Sequence, residues 1–287
     1  LVALALVALA SAPTVVHAQD SLRVLSDTTR VQVIRLSDGS VVVGRVVDVR
    51  GDSAVIRTQT GQVTVARSAV RRVRERPQTS VRGGEYWPED PNATRLFFAS
   101  TARTLKRGDG YFCNIWVFLL CLTGGISDRI TMGGGMSIVP GIDIGDNVFY
   151  LTPKVGLVAT EKFNLAVGAF AGWSGAVTDD ADSFGILYGV STFGPEDSNV
   201  SLGAGFAYYN DDIAKKPLLL GGLKLRMTRG TALISENYVL PGEDGGIISA
   251  GVRFFGERIA GDVALVRFFG DGEGVTVPYV GLAVKFR

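Results

Sequence analysis

The stretch LKLRMT, Leu223–Thr228, changes chemistry at every residue. Side chains switch face at each step of an extended chain, so Leu223, Leu225 and Met227 share one face and Lys224, Arg226 and Thr228 the other. The same opposition recurs upstream. Ile130, Met132, Met136 and Ile138 oppose Thr131, Gly133, Gly135 and Ser137, and Val200, Leu202, Ala204, Phe206 and Tyr208 oppose Ser201, Gly203, Gly205 and Ala207. In a soluble barrel the bulky apolar face fills the core. Here the polar face carries glycine, serine and lysine, a set that packs a dry core badly but lines a wet or crowded lumen well. The pattern favours apolar side chains facing lipid.

Composition points the same way. Over 287 residues, 46% hydrophobic content with 20% charge excludes a disordered or collagen-like chain, and 37 glycines against 10 prolines suit many strands joined by tight turns. A net charge of +1 supplies no field for nucleic acid. The expected class is all-β.

The first stretch, LVALALVALASAPTVVHAQD, has an apolar core of about ten residues, a breaker at Pro13, and Val16-His17-Ala18 ahead of Gln19. Residues 1–18 therefore read as a signal peptide cleaved after Ala18. The run is too short to cross ~30 Å of hydrocarbon. Because the chain begins at Leu1 without a methionine or basic flank, the start of the signal is expected upstream. No cysteine stands at the cleavage point for lipid attachment. In a single strand, Cys113 and Cys121 would lie roughly 26 Å apart at ~3.3 Å per residue and could not pair. Without a CxxC spacing, they are expected to be free packing residues with no metal or redox role.

Residues 19–76 form a first region, in which valine-rich runs of strand length are punctuated by Asp38-Gly39, Gly51-Asp52 and Gly61. Arg67, Arg71, Arg72, Arg74 and Arg76 give it a basic run suited to a solvated face, to anionic lipid headgroups or to cell-wall carboxylates. Residues 77–94, RPQTSVRGGEYWPEDPN and its flanks, lack periodicity and read as a linker. From 95 to 287 come twelve strand-length segments, beginning with Arg95–Thr101 and Tyr111–Leu122 and ending with Asp262–Phe269 and Val275–Phe286. Most approach the ~9 to 11 residues of a tilted bilayer-crossing strand.

Connections alternate as well. SDR, TEK, PEDSN, RG and the ERIAG region are tight, whereas PGIDIGDN, SGAVTDDADS, NDDIAKKP and PGEDGG are mostly longer and more acidic. Short periplasmic turns and longer outer loops produce this rhythm. An even strand number places both barrel ends, and with them the N-terminal module, in the periplasm. Paired aromatics near segment ends (Tyr111 and Phe112, Phe149 and Tyr150, Tyr208 and Tyr209, Phe254 and Phe255, Phe268 and Phe269, with Trp173) suit headgroup-level girdles.

Two resemblances extend this reading. LSDGSVVVGRVVDVRGDSAVIRTQTGQVTVARSAV resembles the small SH3-like or Sm-like barrels of bacterial envelope proteins. The closing YVGLAVKFR, with Val280, Leu282, Val284 and Phe286 on one face, resembles the C-terminal targeting strand of bacterial outer-membrane barrels, although Arg287 follows the aromatic. TRLFFASTARTLKRGDGYF, GGGMSIVPG and TPKVGLVA are similar to uncharacterised barrels of that kind. The resemblance implies an antiparallel up-and-down transmembrane barrel of about twelve strands after a small β-barrel domain, located in the outer membrane. It also implies outer-membrane lipid and the barrel-assembly machinery as partners.

Chemistry is sparse. His17 leaves with the signal peptide, and no GxSxG or phosphate loop is present, so neither catalysis nor a cofactor or metal is expected. Strand-embedded charges are more informative. Lys154, Lys224, Arg226, Arg253, Arg267 and Lys285 stand against Glu236 and Asp262, and all are expected to point inward because a lipid-facing Arg or Lys costs ~2 to 4 kcal/mol at the midplane. The basic lumen is either plugged, with Glu236 and Asp262 paired to arginines, or an anion-preferring path. Two functions remain open: an outer-membrane barrel acting structurally or as a narrow channel, and a soluble exported β-barrel that binds an apolar ligand.

Overall fold

The structure is a computed structural model that describes residues 22–141, 143, 147–174, 182–240, 245–270 and 272–286. The expected signal peptide, residues 1–18, lies outside the described residues, as do His17 and Arg287. The chain divides into two compact units at Trp87/Pro88.

In the N-terminal unit, β1 (Arg30–Leu36), β2 (Val41–Arg50), β3 (Ser53–Thr58), β4 (Gly61–Ala66) and β5 (Val70–Pro77) form an antiparallel sheet in the order β4-β3-β2-β1-β5. The expected hairpin turns are present, with Gly39 and Gly51 at φ 89° and 52°, a region open to glycine without a Cβ clash. Asp38 accepts hydrogen bonds from the Ser40 hydroxyl and N–H, which hold its carboxyl below the usual range. Ile34, Val46, Ala54, Ile56, Val65 and Val70 alternate inward into one core with Leu22. Buried Gln32 is satisfied by the Arg23 carbonyl and the Val46 N–H. The sheet stays open, since β4 and β5 do not pair among the described residues, whereas a small closed barrel was expected. A short hairpin, β6 (Val81–Arg82) and β7 (Glu85–Tyr86), ends the unit.

The second unit is a closed antiparallel barrel of twelve strands. These are β8 (Gly110–Ile115), β9 (Leu119–Ser127), β10 (Ile130–Ser137), β11 (Val148–Ala159), β12 (Phe163–Ser174), β13 (Ser183–Phe193), β14 (Ser198–Tyr209), β16 (Leu218–Thr228), β17 (Thr231–Leu240), β18 (Gly245–Phe255), β19 (Ile259–Gly270) and β20 (Glu273–Lys285). Two-residue β15 (Asp212–Ile213) only folds back on the end of β14. Each strand pairs with its neighbour, and β20 closes on β8 from Gly281↔Ile115 to Lys285↔Tyr111. Closure pairs the first and last strands, which an open sheet would leave as edges.

Period-two alternation sorts the side chains. Leu223, Leu225 and Met227 are exposed while Lys224 is buried, and Val200, Leu202 and Phe206 are exposed while Ser201 is buried. In the final strand Val280, Leu282 and Phe286 face out, Val284 is half-buried, and Ala283 is fully buried. Alternation also splits the aromatic pairs. Phe112, Tyr209 and Phe254 face out, but Tyr111, Tyr150 and Phe255 point inward and join the core, so these three are not available to the expected girdle. Arg267 departs from expectation. Its neighbour Val266 is buried, which turns Arg267 outward, near the strand end, where it donates to Thr276. Gly135 lets Tyr150 lie across β10 and donate to the Leu120 carbonyl at 2.8 Å, since a Cβ there would collide with both.

Two expected strands differ from the fold. Arg95–Thr101 joins no sheet and makes only an isolated bridge, Arg95↔Ser100. Tyr111–Leu122 is not one strand but the β8–β9 hairpin, which turns through Trp116 and Val117 at φ 55° and 66°. The left-handed backbone is held by the Trp116 N–H on the Val280 carbonyl, the Trp116 Nε1–H on the Pro278 carbonyl and Asn114 on the Val117 carbonyl. The turn sets Cys113 directly opposite Cys121, Cα atoms 4.9 Å apart, in a disulfide rather than as free thiols. Denatured, unreduced protein should incorporate no thiol reagent, and reduced protein should incorporate two equivalents; labelling before reduction would contradict the pairing.

Candidate functional site: a chain segment held inside the barrel

Residues 88–109 precede β8, and most of 88–102 are buried inside the barrel, where side chains from many strands hold them. The centre is a set of four buried charges. Asp90 Oδ2 lies 2.6 Å from Lys224 Nζ and 3.0 Å from Arg253 Nη1. Arg253 also makes a fork to both oxygens of Asp262 at 2.6 and 3.0 Å, and its Nη1 and Nη2 donate to the carbonyls of Asn92, Arg95 and Leu96. Two cations meet two carboxylates and the group is neutral. Removing one partner from such a set strands a buried charge, at a cost of about 3–5 kcal/mol.

A second anchor is Glu236. Its Oε2 accepts the N–H groups of Phe97, Phe98 and Ala99 at 2.8, 3.0 and 3.1 Å, and its Oε1 accepts the Tyr238 hydroxyl at 2.7 Å. Those three amides are convergent because Leu96 N–H bonds the Ala99 carbonyl and Thr101 N–H the Thr94 carbonyl, closing a tight reversal over 94–101. Lys154 Nζ donates to the carbonyls of Thr94 and Thr101 at 3.1 and 3.0 Å. Tyr279 donates to the Phe97 carbonyl, and Tyr111 shares a hydrogen bond with Thr94. Farther along, Ala102 N–H bonds Thr192, Leu105 N–H bonds Thr131, and Arg107 N–H bonds Asp128.

The charged residues singled out from the sequence fall into three groups. Lys154, Lys224, Glu236, Arg253 and Asp262 are buried and contact this segment or one another. Arg226 lies lower, paired with Asp197 at 2.6 Å and stacked over Phe255 at 4.9 Å. Lys285 is partly exposed, 3.5 Å from Asp109. Glu236 binds backbone amides rather than an arginine. Asp90, the shared partner of Lys224 and Arg253, sits in the stretch read as a linker, where PEDPN carries no periodic signal. In the N-terminal unit, Arg71 and Arg72 are exposed, Arg67 donates to the Gly51 carbonyl, and Arg76 donates to the Tyr86 hydroxyl. Among the described residues no cluster of His, Cys, Asp and Glu could hold a metal.

Above the reversal, toward the longer connections, lies a cavity of about 450 Å³. Its walls include Ile115, Phe170, Ile186, Leu220, Leu240 and Ile247, with Phe98 and Arg95 of the inner segment also lining it. Inward residues near the short turns are mostly polar, and those near the long connections mostly apolar.

No family model matches the chain, and it has no match among curated proteins. Among solved structures it is similar to the KdgM porin in complex with disordered oligogalacturonate, at 11% identity and a TM-score of 0.47 over 62% of this chain and 98% of that one. It is also similar to the outer-membrane expressed OmpT of Vibrio cholerae, at 12% identity and a TM-score of 0.34 over 92% and 100%, and to Salmonella typhi OmpF complexed with daunomycin, at 10% and 0.32 over 90% and 95%.

Glu196, in the β13–β14 turn, supports the entry of the segment by accepting the Asp90 N–H at 3.3 Å. Burial raises its pKa above the ordinary carboxylate value, with Lys224 pulling in the opposite direction. A raised carboxyl opposes folding once pH exceeds the unfolded pKa, ~4.3, because the unfolded state then releases a proton that burial makes the folded state keep, until at higher pH the folded state carries the charge that burial disfavours. Glu196→Gln keeps the acceptor and should unfold at a higher temperature than the parent at neutral pH. The difference should vanish as pH falls below about 4; an equal shift at all pH values would exclude the titration of Glu196 as its cause.

Proposed function

We propose that the chain is a bacterial outer-membrane β-barrel acting as a narrow channel whose lumen its own inner segment obstructs. The carrying observation is the outward face. Leu122, Leu151, Leu187, Leu202, Leu223, Leu225, Val263, Leu265, Val280 and Leu282 are all more than a third exposed, while Lys154, Lys224 and Asp262 of the same strands are buried within. An apolar surface that continues around a barrel is matched to hydrocarbon and poorly matched to water. This is why the soluble-barrel alternative is less favoured.

The remaining topology supports the address. Both ends of the barrel strand series lie on the side of the short turns, which we assign to the periplasm, and the N-terminal module goes with that compartment. Its strand order and the 3₁₀ turn at Arg67–Ala69 before β5 are compatible with an SH3-like unit. We assign the C-terminal strand, with Val280, Leu282, Val284 and Phe286, to recognition by the barrel-assembly machinery, and the Arg67–Arg76 run to anionic headgroups or cell wall.

Conduction follows from the inner segment. Lys154, Lys224 and Arg253 are committed to it, so its contacts have to loosen before those cations line a path. Walls with more fixed cations than anions then concentrate anions. The protein should fractionate with outer membranes, and a spin label at position 225 should report hydrocarbon; water-like accessibility in membranes would sink the assignment. In planar bilayers the parent should conduct little. Glu236→Gln, which weakens the hold on Phe97, Phe98 and Ala99, should raise conductance, with reversal potentials showing anion preference that fades as salt rises from 0.1 M to 1 M and screening shortens from ~10 to ~3 Å. Cation selectivity in the variant would defeat the anion preference.

A further inference from the structure

We propose that the cavity above the inner segment binds a single-chain amphipath with a carboxylate head, its head on Arg95 and its tail against the upper barrel wall. Three observations carry this. The first is size: about 450 Å³ falls within the ~300–1,000 Å³ of small-molecule sites.

The second is the chemistry of the wall. Tyr150, Tyr238, Tyr279 and Trp116 line the cavity, and each already spends its polar atom on the protein: Tyr150 on the Leu120 carbonyl, Tyr238 on Glu236, Tyr279 on the Phe97 carbonyl and Trp116 on the Pro278 carbonyl. What they offer a ligand is ring surface. Phe98, at the tip of the reversal, remains 42% exposed inside the barrel, tilted against Phe170 with centroids 5.7 Å apart. A sugar or a multiply charged solute would lose its hydration on such a wall and gain few hydrogen bonds. A hydrocarbon tail gains burial.

The third observation is Arg95. It is 6% exposed and lines the same cavity. Nε donates to Asn92 Oδ1 at 2.8 Å, while Nη1 and Nη2 are shielded from water and have no hydrogen-bond partner among the described residues, so a head group reaches them only as the side chain shifts toward the cavity. Both oxygens of Glu236 are already taken by other donors, and Asp90 and Asp262 are engaged by Lys224 and Arg253. A buried guanidinium with two unpaired Nη groups is costly, and a carboxylate is the oxyanion whose two oxygens match that fork. The apolar wall and the unpaired cation thus select a molecule that carries both features. This inference holds whether or not the lumen conducts.

The test uses the full chain in nanodiscs, with Trp87→Phe and Trp173→Phe leaving Trp116 as the reporter. Brominated palmitate should quench Trp116 saturably at one equivalent. Arg95→Gln should weaken that binding at least tenfold while leaving brominated hexadecanol binding unchanged, and Leu220→Tyr, which narrows the cavity without adding a tryptophan, should weaken both. Heat-modifiable migration of each variant shows that it has folded. Three results would overturn the proposal: no saturable quenching in the parent, equal loss of acid and alcohol on Arg95→Gln, or tighter binding of lysophosphatidate than of palmitate, which would assign the site to a phosphate head.

Discussion

Neutralising Arg253 is the constraint around which the barrel interior is arranged. It is fully buried, and a guanidinium in that position has to find anions and acceptors for its donors. The strands supply Asp262 from the adjacent β19, but Lys224 adds a second buried cation that no strand acid meets. Asp90 supplies the missing charge. The segment before the first barrel strand therefore has to enter the lumen for the interior to be neutral, and the fold of the barrel and the path of the segment are coupled.

Once inside, the segment meets its remaining needs at backbone level. Its amides converge on Glu236, and its carbonyls accept from Lys154, Arg253 and Tyr279. Buried backbone groups outside a ladder need partners of this sort. The result divides the lumen into a polar half, tied to the segment and lying toward the short turns, and an apolar half toward the long connections. Arg95 sits at the join and lines the upper cavity.

The strand number was legible for partly accidental reasons. Arg95–Thr101 looks like a strand because it is short and apolar, but its residues serve the interior as a reversal. Tyr111–Leu122 looks like one strand because Trp116-Val117-Phe118 contains none of the glycine, proline or asparagine that normally marks a turn. One segment was lost and one gained. The disulfide was hidden by the same turn, since Cys113 and Cys121 become neighbours only when the chain reverses between them. Arg267 misled in another way: its charge suggested the interior, while the burial of Val266 next to it places it outside.

By itself the sequence determined what depends on neighbours in the chain. The period of two set which residues of Leu223–Met227 and Val280–Ala283 face outward, and the rhythm of short and long connections set the strand parity and the common side of both barrel ends. Pairing between distant residues was decided only by tertiary structure. Asp90 is 134 residues from Lys224 and 163 from Arg253, and Phe97 is 139 from Glu236. No local pattern encodes such partners, because several inward charges have the same chemistry and only the closed barrel brings particular ones within hydrogen-bond distance.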